Sequence, residues 1–334
     1  MKYTDLSFDE MREVILRVQA ENGLQLQIIE KDWWVTSVLK ALFSLPYSEH
    51  ISFKGGTSLS KCWSLIKRFS EDVDIAIDRG YLGFDGTLSK TQISDKLRRA
   101  ACTFVREKLQ FDLRNKLIEN GIAEDKFKIN VNITPVTTTD PEIIEVEYQS
   151  VFNHLPYIWS KVIVEVSGRS MNEPVTTAGI SSFIDDVFTG APFAEQKFEV
   201  CAVLPERTFL EKIFLLHEEF ARPSNLIRME RMSRHLYDVA QIMNTPIAER
   251  TLLDENLYKT VIEHRRMFIG LKGFDYTTLL PQTLTLVPPE EIREQWKEDY
   301  KVMQETMIYG DSPSYEELIG KMQLLNDRIK ELKY

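Results

Sequence analysis

Phe53-Lys54-Gly55-Gly56-Thr57-Ser58-Leu59-Ser60, followed by Phe69-Ser70-Glu71-Asp72-Val73-Asp74-Ile75-Ala76-Ile77, decides how this chain folds. Ile51-Ser52-Phe53 reads as a short strand running into a Gly55-Gly56 turn. A helix from about Thr57 to Ile66 is predicted next, with Leu59, Cys62, Trp63 and Ile66 at helical spacing. A strand–turn–helix start leaves backbone N–H groups unpaired where the helix dipole is positive, and such a place favours anions. Thr57 or Ser58 caps that helix or contacts a phosphate; a plain tight turn explains the glycines as well.

The second half of the stretch is more specific. Along a strand, residues i and i+2 share a face, so Asp72 and Asp74 point one way while Val73, Ile75 and Ile77 point to the core. Two carboxylates on one strand face repel each other. A divalent cation relieves that repulsion, and hard oxygen ligands suit Mg²⁺. A two-metal site, with ions about 3.5–4 Å apart, wants a third carboxylate from a neighbouring strand. Glu165, an isolated acid within Val162-Ile163-Val164-Glu165-Val166, is the best choice, because a lone carboxylate there is costly unless paired or metal-bound. Glu145 and Glu147, alternating on another strand, are the alternatives.

Further along stand Pro205-Glu206-Arg207-Thr208-Phe209-Leu210-Glu211-Lys212 and Arg231-Met232-Ser233-Arg234-His235-Leu236-Tyr237-Asp238. Both read as helices, with Arg234 and Asp238 four apart on one face. Such a pair is either surface decoration or part of a phosphate site. In a phosphate site Lys212 and Arg234 neutralise triphosphate charge and Asp238 orients one of them. His217, His235 and His264 are either proton carriers or hydrogen-bonded structural histidines.

Composition bounds the rest. At 334 residues, 43% hydrophobic and 28% charged, the chain is long enough for two domains or one extended domain. No run of about 18 apolar residues suggests a membrane span, and Met1-Lys2-Tyr3-Thr4-Asp5 lacks a signal-peptide pattern. Cys62, Cys102 and Cys201 are scattered and form no zinc or disulfide pattern. A cytoplasmic location is the expectation. The net charge of −10 argues against indiscriminate coating of nucleic acid. The densest basic run, Lys96, Arg98, Arg99, Arg106, Lys108, Arg114 and Lys116, is either a solvated helix face or a phosphate-tracking surface.

The coarse organisation is a helical extension over 1–48, a sheet domain over 49–204 and a helical domain over 205–334. Ser7-Phe8-Asp9-Glu10 predicts a capping box, Gly23 a helix end, and Gln25 to Phe43 a second helix. A basic amphipathic helix covers about Lys90 to Asn120. Strands are expected at Phe127 to Ile133, Ile143 to Tyr148, Lys161 to Val166 and Phe198 to Val203. Helices follow near Thr208–Phe220, Arg228–Met243, Asp254–Arg266, Glu290–Met307 and Ser314–Lys333.

The chain resembles the nucleotidyltransferase AbiEii/AbiGii toxin family, a branch of the DNA polymerase β-like nucleotidyltransferase superfamily. The resemblance lies in Glu30-Lys31-Asp32-Trp33-Trp34, Phe53 to Lys61, Arg68 to Asp74, Pro205 to Lys212 and Arg234-His235-Leu236-Tyr237-Asp238. Glu298-Asp299-Tyr300 with Met303 and Met307 also looks family-like. The resemblance implies an α+β fold: a small mixed sheet of the polymerase β-like type with helical additions, and an active site in a cleft between the halves. Gly55, Gly56 and Ser58 would hold the triphosphate, Asp72 and Asp74 would bind Mg²⁺, and Lys212 and Asp238 would be catalytic. It further implies a bacterial toxin of a type IV toxin–antitoxin or abortive-infection system, with a cognate antitoxin as partner. Some relatives add nucleotides to tRNA ends, so an RNA acceptor is expected beside the NTP. The loop reads Gly-Gly-Thr-Ser where the superfamily usually has Gly-Ser, and the third acid is Glu rather than Asp.

Three other functions compete. A nucleotide-sugar glycosyltransferase also presents Asp-x-Asp to a metal, but the order of glycine turn and acids, with Lys212 and Asp238, opposes it. A metal nuclease is opposed by Glu165-Val166-Ser167, which has no lysine two residues after the acid. A non-catalytic nucleotide-binding interaction protein is opposed by retention of the Gly, Asp, Asp, Lys and Asp set.

Overall fold

A computed structural model describes residues 1–132, 142–152 and 159–334. The chain forms two compact units, one of residues 1–62 and 69–203, the other of residues 63–68 and 204–334. The residues expected as an N-terminal extension belong to the same unit as the sheet.

The first unit begins with α1 (Phe8–Asn22) and α2 (Leu26–Leu42). Ser7 accepts from the Glu10 N–H while Glu10 reaches back to the Ser7 N–H, the expected capping box. Gly23, at φ +72°, ends α1 in the left-handed turn that glycine adopts without strain. After β1 (Ile51–Lys54) come α3 (Gly55–Lys61), β2 (Asp72–Ile77), α4 (Arg98–Phe104) and α5 (Gln110–Glu119). Then follow β3 (Phe127–Asn132), β4 (Glu142–Tyr148), β5 (Lys161–Ser167), β6 (Val175–Ile180), α6 (Phe183–Val187) and β7 (Phe198–Val203). The end of the third expected strand, Ile133, lies outside the described residues.

The seven strands form one mixed sheet in the order β3-β4-β5-β2-β1-β7-β6. β2 lies between β1, antiparallel to it, and β5, parallel to it. Alternation sets its two faces. Val73, Ile75, Val162, Val164, Val166, Ile144 and Val146 are fully buried, and β5 packs against α2 and α4. Asp72, Asp74, Ile143, Glu145, Glu147, Ile163 and Glu165, which lie between them, are half-buried or exposed. The chain is thus α+β with a mixed sheet, as expected. β6 was not foreseen, because Val175, Thr176 and Thr177 are exposed and only Ala178 and Ile180 turn inward.

The helix after the glycine turn stops at Lys61 rather than Ile66. Leu59 is buried in the first unit and Ile66 in the second, so the helical spacing served two different cores. Ser64 breaks the run at φ +52°.

The second unit is helical: α7 (Pro205–Phe220), α8 (Ser233–Ile242), α9 (Pro246–Leu253), α10 (Glu255–His264), α11 (Arg293–Thr306) and α12 (Tyr315–Lys330). α7 starts three residues earlier than expected because Pro205 occupies its first turn, where the missing N–H costs nothing. α9 was not foreseen. Among the described residues no helix is long and apolar enough to cross a membrane.

Candidate functional site

Three sequence-predicted acids share one face of the sheet. Asp74 stands opposite Glu165 in the parallel β2–β5 register, and Asp72 stands opposite Ile163 two residues back. On the other side Asp74 is flanked by Lys54 of β1. Asp72, Asp74 and Glu165 are all half-buried, on the face opposite the valine and isoleucine core. The alternatives are engaged elsewhere: Glu145 takes the Lys161 ammonium at 2.6 Å, and Glu147 accepts from the Asn130 amide at 2.9 Å. Register places Glu165, and neither Glu145 nor Glu147, beside Asp74.

The glycine turn and the acidic strand meet at one point. Gly55 has φ +76°, and a Cβ built on it would sit 1.9 Å from Oδ2 of Asp74. The Asp74 carboxylate therefore rests on the bare backbone of the turn. Thr57 Oγ1 donates to the Asp72 carbonyl at 2.5 Å, tying α3 to β2. Ser58 Oγ donates to the Gly55 carbonyl at 3.0 Å, and both side chains are buried. These hydroxyls brace the turn, and Lys54 at the helix cap provides no side-chain bond to the first-turn N–H groups.

The carboxyl oxygens are the hard donors a divalent cation such as Mg²⁺ takes, and the bare glycine is what lets the Asp74 carboxylate lie against the turn. Asp72, Asp74 and Glu165 are thus of the right chemistry and on the right face. Their side chains are not drawn together: among the described residues no three His, Cys, Asp or Glu groups converge as a metal cage.

Gly55→Ala is expected to fold with a loss of about 1–3 kcal/mol from the left-handed backbone and to inactivate the protein, because its methyl displaces Asp74. A thermal melt beside a transfer assay checks this; an active Gly55→Ala protein would mean that the Asp74 position is not needed.

The helical unit carries the second set. Asp238, fully buried on α8, accepts a two-pronged bond from Arg68: Nε to Oδ1 and Nη2 to Oδ2, each 2.7 Å. Lys212 of α7 places Nζ 2.9 Å from the same Oδ2. His235 Nδ1 lies 3.4 Å from the Lys212 ammonium. Burial alone would raise the Asp238 carboxyl, but the Arg68 and Lys212 charges outweigh it and hold it below the usual carboxylate value. Burial pushes Lys212 below the usual lysine value, against the pull of Asp238. Burial and the Lys212, Arg234 and Arg68 charges push His235 well below the ordinary histidine range, so its neutral ring accepts from Lys212. One buried carboxylate thus serves two cations.

Sequence reasoning missed Arg68 as the main partner of Asp238; its partner lies 170 residues away. It also left Asp299 unexplained. Asp299 accepts from the backbone N–H groups of Arg231 and Ser233, at 2.6 and 2.9 Å, and so caps the helix bearing Arg234 and Asp238. His217 is structural: Thr285 N–H donates to Nδ1 and the other ring nitrogen meets Thr278 Oγ1, both at 3.0 Å. His264 stacks on Phe268. The three cysteines are free thiols, and burial pushes Cys62 up to about 12 and Cys102 up to about 11, out of the reactive range.

The basic run is largely neutralised. Arg99 pairs with Asp95, Arg106 with Glu142, Lys108 with Asp112, Arg114 with Glu124 and Lys116 with Glu119. That is the pattern of a solvated helix face.

A family model, "Nucleotidyl transferase AbiEii toxin, Type IV TA system", matches residues 37–321. Among solved structures the chain is similar to JHP933 from Helicobacter pylori, at 14% identity over 92% of this chain and 94% of that one, with a TM-score of 0.41. It is also similar to "MenT4, nucleotidyltransferase toxin Rv2826c" from Mycobacterium tuberculosis H37Rv, at 14% identity over 96% of each chain, with a TM-score of 0.44. The sequence has no match among curated proteins.

Proposed function

The chain belongs to the AbiEii nucleotidyltransferase toxin family of type IV toxin–antitoxin systems, and we propose that it transfers a nucleoside monophosphate from an NTP to the terminal hydroxyl of an RNA, tRNA foremost, with Mg²⁺ as cofactor. The enzyme class, the NTP substrate and an antitoxin partner go with the family. The acceptor, the metal and the residue roles are the proposal.

The observation that carries it is the convergence on Asp74, which rests on Gly55 of the phosphate-type turn and stands opposite Glu165 in register. Asp72, Asp74 and Glu165 are the residues that would hold the cation. Bound there, Mg²⁺ supplies Lewis-acid polarisation of the α-phosphate. Gly55, Gly56, Thr57 and Ser58 form the turn whose backbone N–H groups receive phosphate oxygens. Asp72 or Glu165 accepts the proton of the attacking hydroxyl. The hydroxyl oxygen bonds to the α-phosphorus, the bond to the β-phosphate bridging oxygen breaks, and pyrophosphate leaves with that electron pair. Lys212 and Arg234 offset the charge of the triphosphate and the departing pyrophosphate, and Asp238 holds the Lys212 ammonium in place. Catalysis of this kind rests mainly on positioning and charge stabilisation.

RNA is favoured as a narrow acceptor, gripped near its end. The net charge of −10 and the neutralised basic run do not suit broad phosphate tracking. The test is incubation of the protein with each α-labelled NTP, Mg²⁺ and total bacterial RNA. Label on a defined RNA band is the expected result. Label confined to a protein band would overturn the RNA assignment.

A further inference from the structure

Glu30, Lys31 and Asp32 of α2 are consecutive charged residues, all buried. Neighbours on a helix point about 100° apart, so each needs its own partner. Glu30 accepts from Val151 N–H at 2.7 Å and from Ser150 Oγ at 2.5 Å. Asp32 pairs with Lys61 Nζ at 2.5 Å, at the end of α3, and accepts from Phe183 N–H at 2.9 Å. Lys31 Nζ meets Glu71 Oε2 at 2.5 Å, with side chains 1% and 7% exposed.

Bulk stability does not call for such a pair. Replacing both members of a buried ion pair by apolar side chains of similar size is often neutral or stabilising. Placement gives the reason. Glu71 immediately precedes Asp72, and Lys61 closes the helix that Gly55 opens. Thr57 fixes the Asp72 carbonyl from the other side. α2 therefore grips both the start of the acidic strand and the end of the turn helix, using fixed charge–charge geometry where an apolar contact would allow sliding.

We infer that Lys31 and Glu71 are positioning residues for the metal-holding carboxylates: the pair fixes the start of β2, the strand that carries Asp72 and Asp74. This rests on the reading of Asp72 and Asp74 as metal ligands. Partners behind metal ligands typically change metal affinity or activity 10- to 100-fold, roughly, when lost.

The test is the double variant Lys31→Met/Glu71→Met, with Asp74→Asn beside it. Three quantities are read: the thermal melt, the Mn²⁺ dissociation constant of the protein alone by electron paramagnetic resonance, and the split of transfer kinetics into kcat and KM for NTP. The double variant is expected to melt near the parent, to bind Mn²⁺ about 10-fold more weakly, and to lose about 10- to 100-fold in kcat with KM within about 2-fold. A merely structural pair would leave Mn²⁺ affinity and kcat at parental values, and that result overturns the inference. If Asp74→Asn loses Mn²⁺ while the double variant keeps it, only the positioning role falls. If Asp74→Asn also binds Mn²⁺ like the parent, the metal assignment itself falls. Should the double variant fail to fold, Glu71→Gln, which keeps the shape and removes the charge, is read in the same three ways.

Discussion

Asp74→Asn is expected to lower nucleotidyl transfer on the order of 10³-fold, the scale on which a single electrostatic stabiliser of a transition state is lost, while the protein melts at or slightly above the parental temperature. The direction of the second effect follows from the sheet. Asp74 stands opposite Glu165, and like charges directly opposite on neighbouring strands repel. Removing one charge relieves that repulsion, offset in part by the loss of Lys54 as an opposite-charge neighbour. Asparagine keeps the shape that rests on Gly55. A residue that lowers activity and leaves stability intact serves function. Full activity with an unchanged melt would remove Asp74 from the chemistry, and unfolding would make it a structural acid.

Asp238→Ala is expected to cause the largest loss of stability, about 3–5 kcal/mol in a urea titration, because it leaves Arg68 and Lys212 buried without their shared carboxylate. Lys212→Met removes one cation from the same cluster but leaves the Arg68–Asp238 fork, so it is expected to slow turnover more than it lowers stability. The pH dependence carries a sign. The folded Asp238 carboxyl lies below its unfolded value, so the stability it contributes is full above the unfolded carboxylate value and is lost as pH falls through the folded one. Asp238→Asn should therefore flatten the acid limb of the stability profile. A loss below about 1 kcal/mol for Asp238→Ala would place the pair among those worth little.

Much of the sheet was legible because alternation is local. Asp72-Val73-Asp74-Ile75 states in its own order which side is core, and Val162-Ile163-Val164-Glu165-Val166 does the same. The register that puts Glu165 beside Asp74 is not local, but an acid isolated in an apolar strand needs a partner or a ligand, and that requirement singled it out. Gly55 was legible as a turn, but the reason it must be glycine, the Asp74 carboxylate lying on it, needed the fold.

What stayed hidden is long-range pairing of charges. Arg68 finds Asp238 at a separation of 170 residues, and Lys31 finds Glu71 at 40. Spacing suggested an Arg234–Asp238 pair on one helix turn, whereas the fold gives Asp238 to Arg68 and Lys212. The apolar spacing from Leu59 to Ile66 read as one helix because periodicity does not say which core a residue enters. The basic run offered two readings, and its ion pairs, several within one helix turn and others to distant acids, decide for the solvated face.

The most direct test of the central claim follows the two ends of the nucleotide. The protein is incubated with total bacterial RNA, Mg²⁺ and one NTP labelled either at the α- or at the γ-phosphate. Nucleotidyl transfer predicts that the α-label becomes bound to the acceptor while the γ-label is released in pyrophosphate. A γ-label fixed on the acceptor, with the α-label left free, would contradict it and make the reaction a phosphoryl transfer.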